Sequence, residues 1–440
     1  MSDIALHMRS AKASSTWALL ILFSANVFNV LDRALLSVAL QPIKVDLSLS
    51  DVELSLIVGP LFFLVYITSG LAIARLVDTS SRVLILFIGI TVWSLATAAT
   101  ALAEGFYTLA LARVLVGIGE ATALPVAMSL IPDLFALRSR GKAISVFQTS
   151  GFIGVSGGTI VAGAIASEYG WRSMFASCGL AGLLVSLVLI LTVREPVRLA
   201  GERSAGPNVG FLRDTSVRIA GLWRTPGFGG MTLGFGVAAM LVAILTAWAP
   251  ALLQRSYGAS LIDVGLIVGP ATAIGGLSGT LVAGVMTDRV VRHKGMDRCV
   301  LYMPIVALPL STPFALGFLY QPHVTVGAIC LGMTCFASSF AVTPVMNFAV
   351  SRARPDERGL TSMMLLIAAG LIGGSIGPTL VGYASDTLAP TWGPESLRYA
   401  LVSLSGVPLL ASALFTVALR RTPTEDQQRG STGITQPVAS

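Results

Sequence analysis

Residues 17–41 read WALLILFSANVFNVLDRALLSVALQ, an apolar run whose only charges are the adjacent Asp32 and Arg33. A helix rises about 1.5 Å per residue, so this run is long enough to cross a hydrocarbon core of about 30 Å. Charge at such depth is costly and calls for partners in a bundle interior or a wet cavity. Elsewhere only Arg113 and Glu120, in the fourth apolar run, lie as deep inside a span, and the two acids balance the two bases.

Composition agrees with a polytopic membrane protein. Hydrophobic residues make up 54% and charged residues 12%, against about 25% charged in soluble domains. The stretch before Trp17 is polar, with Arg9 and Lys12. The apolar run after it is too long for a signal h-region and lacks a small-residue cleavage site, so it reads as an uncleaved first span. A net charge of +7 is explained by topology and calls for no nucleic acid. The four cysteines have neither zinc-ligand nor disulfide-framework spacing and read as packing residues.

Twelve apolar runs are expected, near 17–41, 52–77, 83–103, 106–132, 142–168 and 172–193, then 228–253, 261–286, 299–320, 323–350, 358–385 and 396–419. They form an all-α membrane fold of two pseudo-symmetric six-helix bundles, 17–193 and 228–419. A linker at 194–227 joins the bundles, and tails 1–16 and 420–440 flank them. Of 29 Lys and Arg residues, only Lys44, Arg172, Arg255 and Arg398 fall on the side opposite the N-terminus. The positive-inside rule therefore places both termini and the linker in the cytoplasm, and the expected location is the cell inner (plasma) membrane. Phe211, Leu212, Ile219, Leu222 and Trp223 of the linker alternate with Arg213, Arg218 and Arg224, either as a basic amphipathic helix on the inner leaflet or as a solvated tether. The tail after Arg421 is polar and is expected to be disordered.

The two bundles repeat one another. Leu56-Ile57-Val58-Gly59-Pro60 returns as Leu266-Ile267-Val268-Gly269-Pro270, and the same displacement carries Asp78 onto Asp288 and Arg82 onto Arg292. Parallel six-span repeats are an architecture of secondary transporters, with the substrate near the midplane between halves that rock.

These residues carry a family resemblance. Gly284-Val285-Met286-Thr287-Asp288-Arg289-Val290-Val291-Arg292 resembles the GxxxDRxxR signature of the major facilitator superfamily, and Ala74 to Arg82 resembles a degraded copy of it. The resemblance implies a cytoplasmic gate at Asp78, Arg82, Asp288, Arg289 and Arg292, in which an acid meets a helix N-terminus and neighbouring arginines. Arg113 to Glu120 resembles the RxxxGxG motif of span four, extended by an acid. Together with Phe28 to Arg33, Trp171-Arg172 and Arg194-Glu195-Pro196, it resembles the Spinster-like branch. Anion:cation symporters of the same superfamily share a similar Asp-Arg in span one and Arg with Glu in span four.

The resemblance implies proton-driven transport, of lysolipids and other amphipathic solutes for the Spinster-like branch or of organic anions for the symporters. The residues permit coupling independently, because opening and closing a poorly solvated site changes a carboxylate's proton occupancy. Asp32 and Glu120 are the candidate proton carriers, and Arg113 is the candidate modulator or headgroup ligand. Depths counted along spans one and four agree for Asp32 and Arg113, so these two can pair. Arg33 either faces the cavity or snorkels to the outer mouth. Asn29, Gln148 and Asn347, like Asn26, either line the cavity or bond across helices. Spans five and eleven carry stripes of glycine, at Gly151, Gly154, Gly157 and Gly158 and at Gly370, Gly373, Gly374 and Gly377, for hinge or close packing.

Enzyme chemistry is not expected. Gly373-Gly374-Ser375-Ile376-Gly377 matches the GxSxG pattern but lies inside a span, where the strand-to-helix elbow cannot form. His7, His293 and His323 lack metal-ligand spacing, and there is no Walker lysine motif. The expected partners are a small-molecule or lysolipid substrate, protons and the lipid bilayer. No cofactor and no metal is expected, and the chain is expected to be a monomer.

Overall fold

In the computed structural model, residues 2–196, 211–294, 298–320, 323–354 and 357–422 are described. The described chain is helical: α1 Ser2–Asp46, α2 Asp51–Val58, α3 Pro60–Thr79, α4 Arg82–Thr100, α5 Phe106–Glu120, α6 Ala123–Leu134, α7 Leu137–Thr192, α8 Phe211–Arg224, α9 Phe228–Tyr257, α10 Leu261–Lys294, α11 Tyr302–Tyr320, α12 Val324–Arg352, α13 Arg358–Ala368, α14 Gly377–Trp392, α15 Ser396–Leu404 and α16 Val407–Arg421. Among the described residues, ten stretches are long and apolar enough to cross a membrane. Two of them, Leu137–Thr192 and Arg358–Arg421, run 56 and 64 residues, each long enough for two crossings. The expected twelve spans follow when each is counted twice.

Within α7 the division falls at Gly170, whose φ of 80° is open to glycine and strained for other residues. Spans two and four are broken by proline. Pro60 opens α3 just after Gly59, so α2 and α3 form one span in two pieces. In span four, α5 ends at Glu120 and α6 begins at Ala123. Pro125 offers no N–H to the carbonyl four residues earlier, and its ring crowds that turn. In span eleven the stretch Ala369–Ile376 winds as a π-helix through the glycine stripe.

The chain packs as two compact units. Unit 1 comprises Met1–Gly206, Leu245–Ala273 and Pro378–Ala400, and unit 2 comprises Pro207–Ile244, Ile274–Gly377 and Leu401–Ser440. These boundaries differ from a division at the linker, because α9 and α10 each change unit part-way along and span eleven changes unit at Pro378. In unit 1, α1 and α4 pack along α7, and α4 also packs along α5. The core there gathers Leu22, Phe62, Ile90, Trp93, Val126, Leu130 and Phe147. In unit 2, α11 packs against α12 and α16, around Phe235, Leu308, Val345, Phe348 and Phe415.

The linker is helical over Phe211–Arg224, with Leu222 buried in the core of unit 2 and Trp223 exposed. Residues 197–210 of the linker, and the tail from 423 expected to be disordered, lie outside the described residues. At the N-terminus, α1 begins at Ser2, so helix extends through the expected tail.

Candidate functional site

Four charged side chains meet inside unit 1. Asp32 is 2% exposed, Arg113 1% and Glu120 0%. Arg113 Nη1 donates to Asp32 Oδ2 at 2.5 Å, and Thr97 of α4 donates its hydroxyl to Asp32 Oδ1 at 2.5 Å. Both carboxylate oxygens of Asp32 are therefore taken. The pairing of Asp32 with Arg113 is the one expected from their matching depths in α1 and α5.

Arg33, one residue on, turns to a different partner. A helix rotates about 100° per residue, which aims Arg33 at the end of α5. Its Nε donates to Glu120 Oε2 at 2.9 Å, and its Nη2 lies 2.9 Å from the same oxygen. The guanidinium also sits 4.9 Å from the ring of Phe62 and 5.0 Å from that of Tyr66, two stacked rings of α3 that suit a planar cation. Its side chain is 36% exposed, whereas that of Glu120 is 0%. The alternative of a residue that snorkels away from the site is not what the structure has.

The break in span four serves this arrangement. Because α5 stops at Glu120, the Glu120 carbonyl is available to a side chain, and Asn29 Nδ2 donates to it at 3.1 Å. Asn29 Oδ1 in turn accepts from Arg33 Nη2 at 3.4 Å. Three polar atoms of the cluster are buried without a hydrogen-bond partner: Glu120 Oε1, Arg113 Nε and Arg113 Nη2. An unmet buried polar atom costs about 1–3 kcal/mol; Glu120 Oε1 can take a proton or accept from a water, whereas the Arg113 nitrogens can only donate, to a water or ligand oxygen.

The other expected site residues fall elsewhere. Asn26 of α1 donates to Ser150 of α7 at 2.6 Å. Gln148 is exposed on α7, and Asn347 is exposed in unit 2; neither is a partner of the four-residue cluster. Asp78, Asp288, Arg289 and Arg292 are exposed, and Arg292 Nε donates to the Asp288 carbonyl at 3.3 Å. Arg82 is different, being 2% exposed. It pairs with Asp133 at the end of α6 and with Glu195 after α7 at 2.7 Å, and it also donates to the Ser129 and Pro196 carbonyls. Arg82 is thus a clamp joining spans three, four and six within unit 1.

Sequence reasoning passed over Asp133, Thr97, Phe62 and Tyr66 as site residues. The signal for the aromatic pair was available: Phe62 and Tyr66 are four apart and share a helix face. Asp133 and Thr97 have no comparable local signal.

The Major Facilitator Superfamily model matches residues 22–378. The chain belongs to the Major Facilitator Superfamily. A probable L-galactonate transporter of Escherichia coli (strain K12) is 30% identical, over 95% of this chain and 92% of its own. Human protein spinster homolog 1 is 29% identical, over 90% of this chain and 80% of its own. Among solved structures, a bacterial homologue of the human lysosomal transporter Spinster, in an inward-facing and unoccupied conformation, superposes with a TM-score of 0.82. It is 25% identical, and the match covers 93% of this chain and 97% of the other. The protein is a multi-pass membrane transporter of this superfamily that resembles the Spinster-like branch, and its neighbours in sequence and structure are transporters.

Proposed function

We propose that the protein is a proton-coupled secondary transporter of an amphipathic or anionic small solute, lysolipid-like in the favoured reading, working by rocker-switch alternating access. The termini and the arginine-rich face lie in the cytoplasm and the chain spans the inner membrane. It acts as a monomer.

The observation that carries this reading is the Arg33–Glu120 pair. Glu120 is fully buried and has one oxygen on Arg33 and the other unpartnered. Arg33 is partly open beside the stacked rings of Phe62 and Tyr66. An ionised Glu120 occupies the guanidinium. A protonated Glu120 releases it, so that Arg33 is free to hold an anionic headgroup while the aromatic rings cover the adjoining apolar part. Substrate and proton then bind with positive linkage, because each favours the state in which the ion pair is open. Asp32 is the second proton carrier, held by Arg113 and Thr97. Asn29 positions Arg33, while Gln148 and Asn347 line the path. Asp78, Arg82, Asp288, Arg289 and Arg292 work the cytoplasmic gate.

A second reading is a proton symporter of small organic anions, with Arg33 and Arg113 clamping a carboxylate. It is favoured by the E. coli relative, whose name points to a sugar acid.

Uptake into proteoliposomes, with and without an imposed pH gradient, tests both readings. The panel holds a labelled lysophospholipid, a sugar acid and an aromatic acid, with Glu120→Gln as the matched control. Gradient-dependent lysolipid movement that the variant loses supports the first reading. Movement of a small acid alone replaces it with the second. Undiminished gradient-driven uptake in both Asp32→Asn and Glu120→Gln overturns proton coupling through these residues.

A further inference from the structure

A second charged cluster lies in unit 1 just beyond the C-terminal end of α1, away from the transport residues above. Asp51, in the first turn of α2, is 1% exposed. Its Oδ1 accepts from Lys44 Nζ at 2.7 Å and from Arg255 Nη2 at 2.7 Å. Its Oδ2 accepts from Arg255 Nη1 at 2.7 Å and from the Ser385 hydroxyl at 2.7 Å. Arg255 therefore grips Asp51 with both terminal nitrogens, the strongest geometry for this pair. Its third nitrogen, Nε, donates to Gln41.

Asp386 closes the circuit in the reverse direction. Its two carboxylate oxygens accept the backbone N–H groups of Asp51, at 3.1 Å, and Val52, at 2.8 Å. Those N–H groups belong to the first turn of α2, where they have no partner inside the helix and where the helix dipole favours an anion. Ser50 and Glu53 complete the same turn as a capping box, so the helix end is rigidly presented. Lys44 and Asp51 come from the first half of the chain, and Arg255, Ser385 and Asp386 from the second. Two cations and two carboxylates balance, which makes the burial of Asp51 tolerable.

The backbones approach closely at the same end. A Cβ on Gly382 of α14 would lie 2.7 Å from the Ser55 Cβ of α2. One on Gly269 of α10 would lie 2.8 Å from the Ser156 carbonyl of α7, and one on Gly163 3.1 Å from the Leu261 carbonyl carbon. Beside the charged cluster an open cleft of about 450 Å³ is lined by Gln41, Pro42, Val45, Asp46, Trp171, Arg172 and Gln254. Solvent thus reaches as far as Gln41.

We infer that Asp51, Arg255 and Asp386 form the outer gate of the transport cycle: a two-way fastening in which each half of the chain supplies one carboxylate to the other. Arg255 must leave Asp51, and the α2 N-terminus must leave Asp386, each time the far end opens. Lys44 and Ser385 retain the Asp51 charge in the closed state. This inference rests on the alternating-access reading above and goes beyond it, because it assigns residues to the far side of the cycle.

The test is pulsed electron spin resonance on the full chain in lipid nanodiscs, with the four cysteines replaced by alanine. Spin labels are placed at Val45→Cys and Ile262→Cys, both exposed positions of that end. The parent protein is expected to give mainly the short distance. Asp51→Asn and Asp386→Asn are expected to raise a long-distance population at least fivefold. Ser385→Ala removes one bond without stranding a charge, so it should raise that population less, and it keeps the test readable where Asp51→Asn does not insert. The exchange pair Asp51→Arg with Arg255→Asp should return the distribution toward the parent. Unchanged distributions in Asp386→Asn and Ser385→Ala overturn the gate. The distances need no proton gradient, so failure of proton coupling in the uptake assay leaves this result standing by itself.

Discussion

Thr97 donates its hydroxyl to Asp32 across 2.5 Å while Arg113 holds the opposite carboxylate oxygen at the same distance. A buried carboxylate with both oxygens engaged is stable only as a set. Removing one charged partner leaves the other buried and unpaired, a loss of about 3–5 kcal/mol. Removing the hydroxyl leaves one oxygen unmet, at about 1–3 kcal/mol. Arg113→Gln is therefore expected to lower the thermal unfolding midpoint in detergent more than Thr97→Val does. Asp32→Asn added to Arg113→Gln should recover part of the loss, since the double variant buries no lone charge. A double variant no more stable than the Arg113→Gln single one would refute the set.

Arg33 differs from a point charge in being flat. Lysine at this position keeps the charge but lacks the planar face that packs beside Phe62 and Tyr66, and it meets Glu120 with a single compact ammonium. Arg33→Lys is expected to raise the KM for the transported solute about tenfold, with a smaller change in the maximal rate. Phe62→Leu should move KM in the same direction by less, because it removes one of two stacked faces. Concentration-dependent uptake into proteoliposomes measures both, and an Arg33→Lys protein with parental KM would remove Arg33 from substrate binding.

Glu195 gives the protein an acid-side dependence whose sign can be worked out. Burial pushes its pKa up, but the Val83 N–H, Arg82 and Ser81 outweigh that and hold it below the usual value of 4.5. A carboxylate with a depressed folded-state pKa contributes stability that is fully present above its unfolded value and is lost as pH falls through the folded one. Glu195→Gln is thus expected to be less stable than the parent at neutral pH. The gap should narrow below about pH 4.5, as the parent's Glu195 becomes protonated. Unfolding midpoints of the two proteins across pH 3–7 give the answer; parallel curves would mean that Glu195 contributes nothing through its charge.

Much of the fold could be read from the sequence because a bilayer leaves little choice. Apolar runs of membrane length must be helices, since no water is there to meet a bare backbone. The Asp32–Arg113 pair was also legible, because rise per residue converts sequence distance into depth. Direction around the helix was harder to read. Whether Arg33 reaches Glu120 depends on where span four breaks, and that break is a matter of Pro125 and local packing. Asp133 read as one more charge at a loop, since nothing nearby in sequence points it at Arg82. The Asp51–Arg255 contact joins residues 204 apart on the sparsely charged side, where pattern has no purchase. The mid-span change of unit at Pro378 was equally invisible, because it follows from packing between distant segments.

Span five offers a comparison between two glycines three residues apart. A Cβ on Gly154 would lie 2.8 Å from the Val27 carbonyl and 2.9 Å from the Val30 Cβ, whereas one on Gly157 meets nothing within 4 Å. At Gly154 a methyl group forces α7 away from α1, the helix that carries Asp32 and Arg33, and overpacking of this kind costs about 1–3 kcal/mol. At Gly157 the same methyl group only improves helix propensity, by up to about 1 kcal/mol. Gly154→Ala is therefore expected to lower both the unfolding midpoint and the transport rate, and Gly157→Ala to leave the rate unchanged with equal or slightly higher stability. If both glycines instead serve as a hinge, Gly157→Ala will slow transport while the midpoint holds or rises. Measuring rate and midpoint together on the two variants separates close packing from hinge motion.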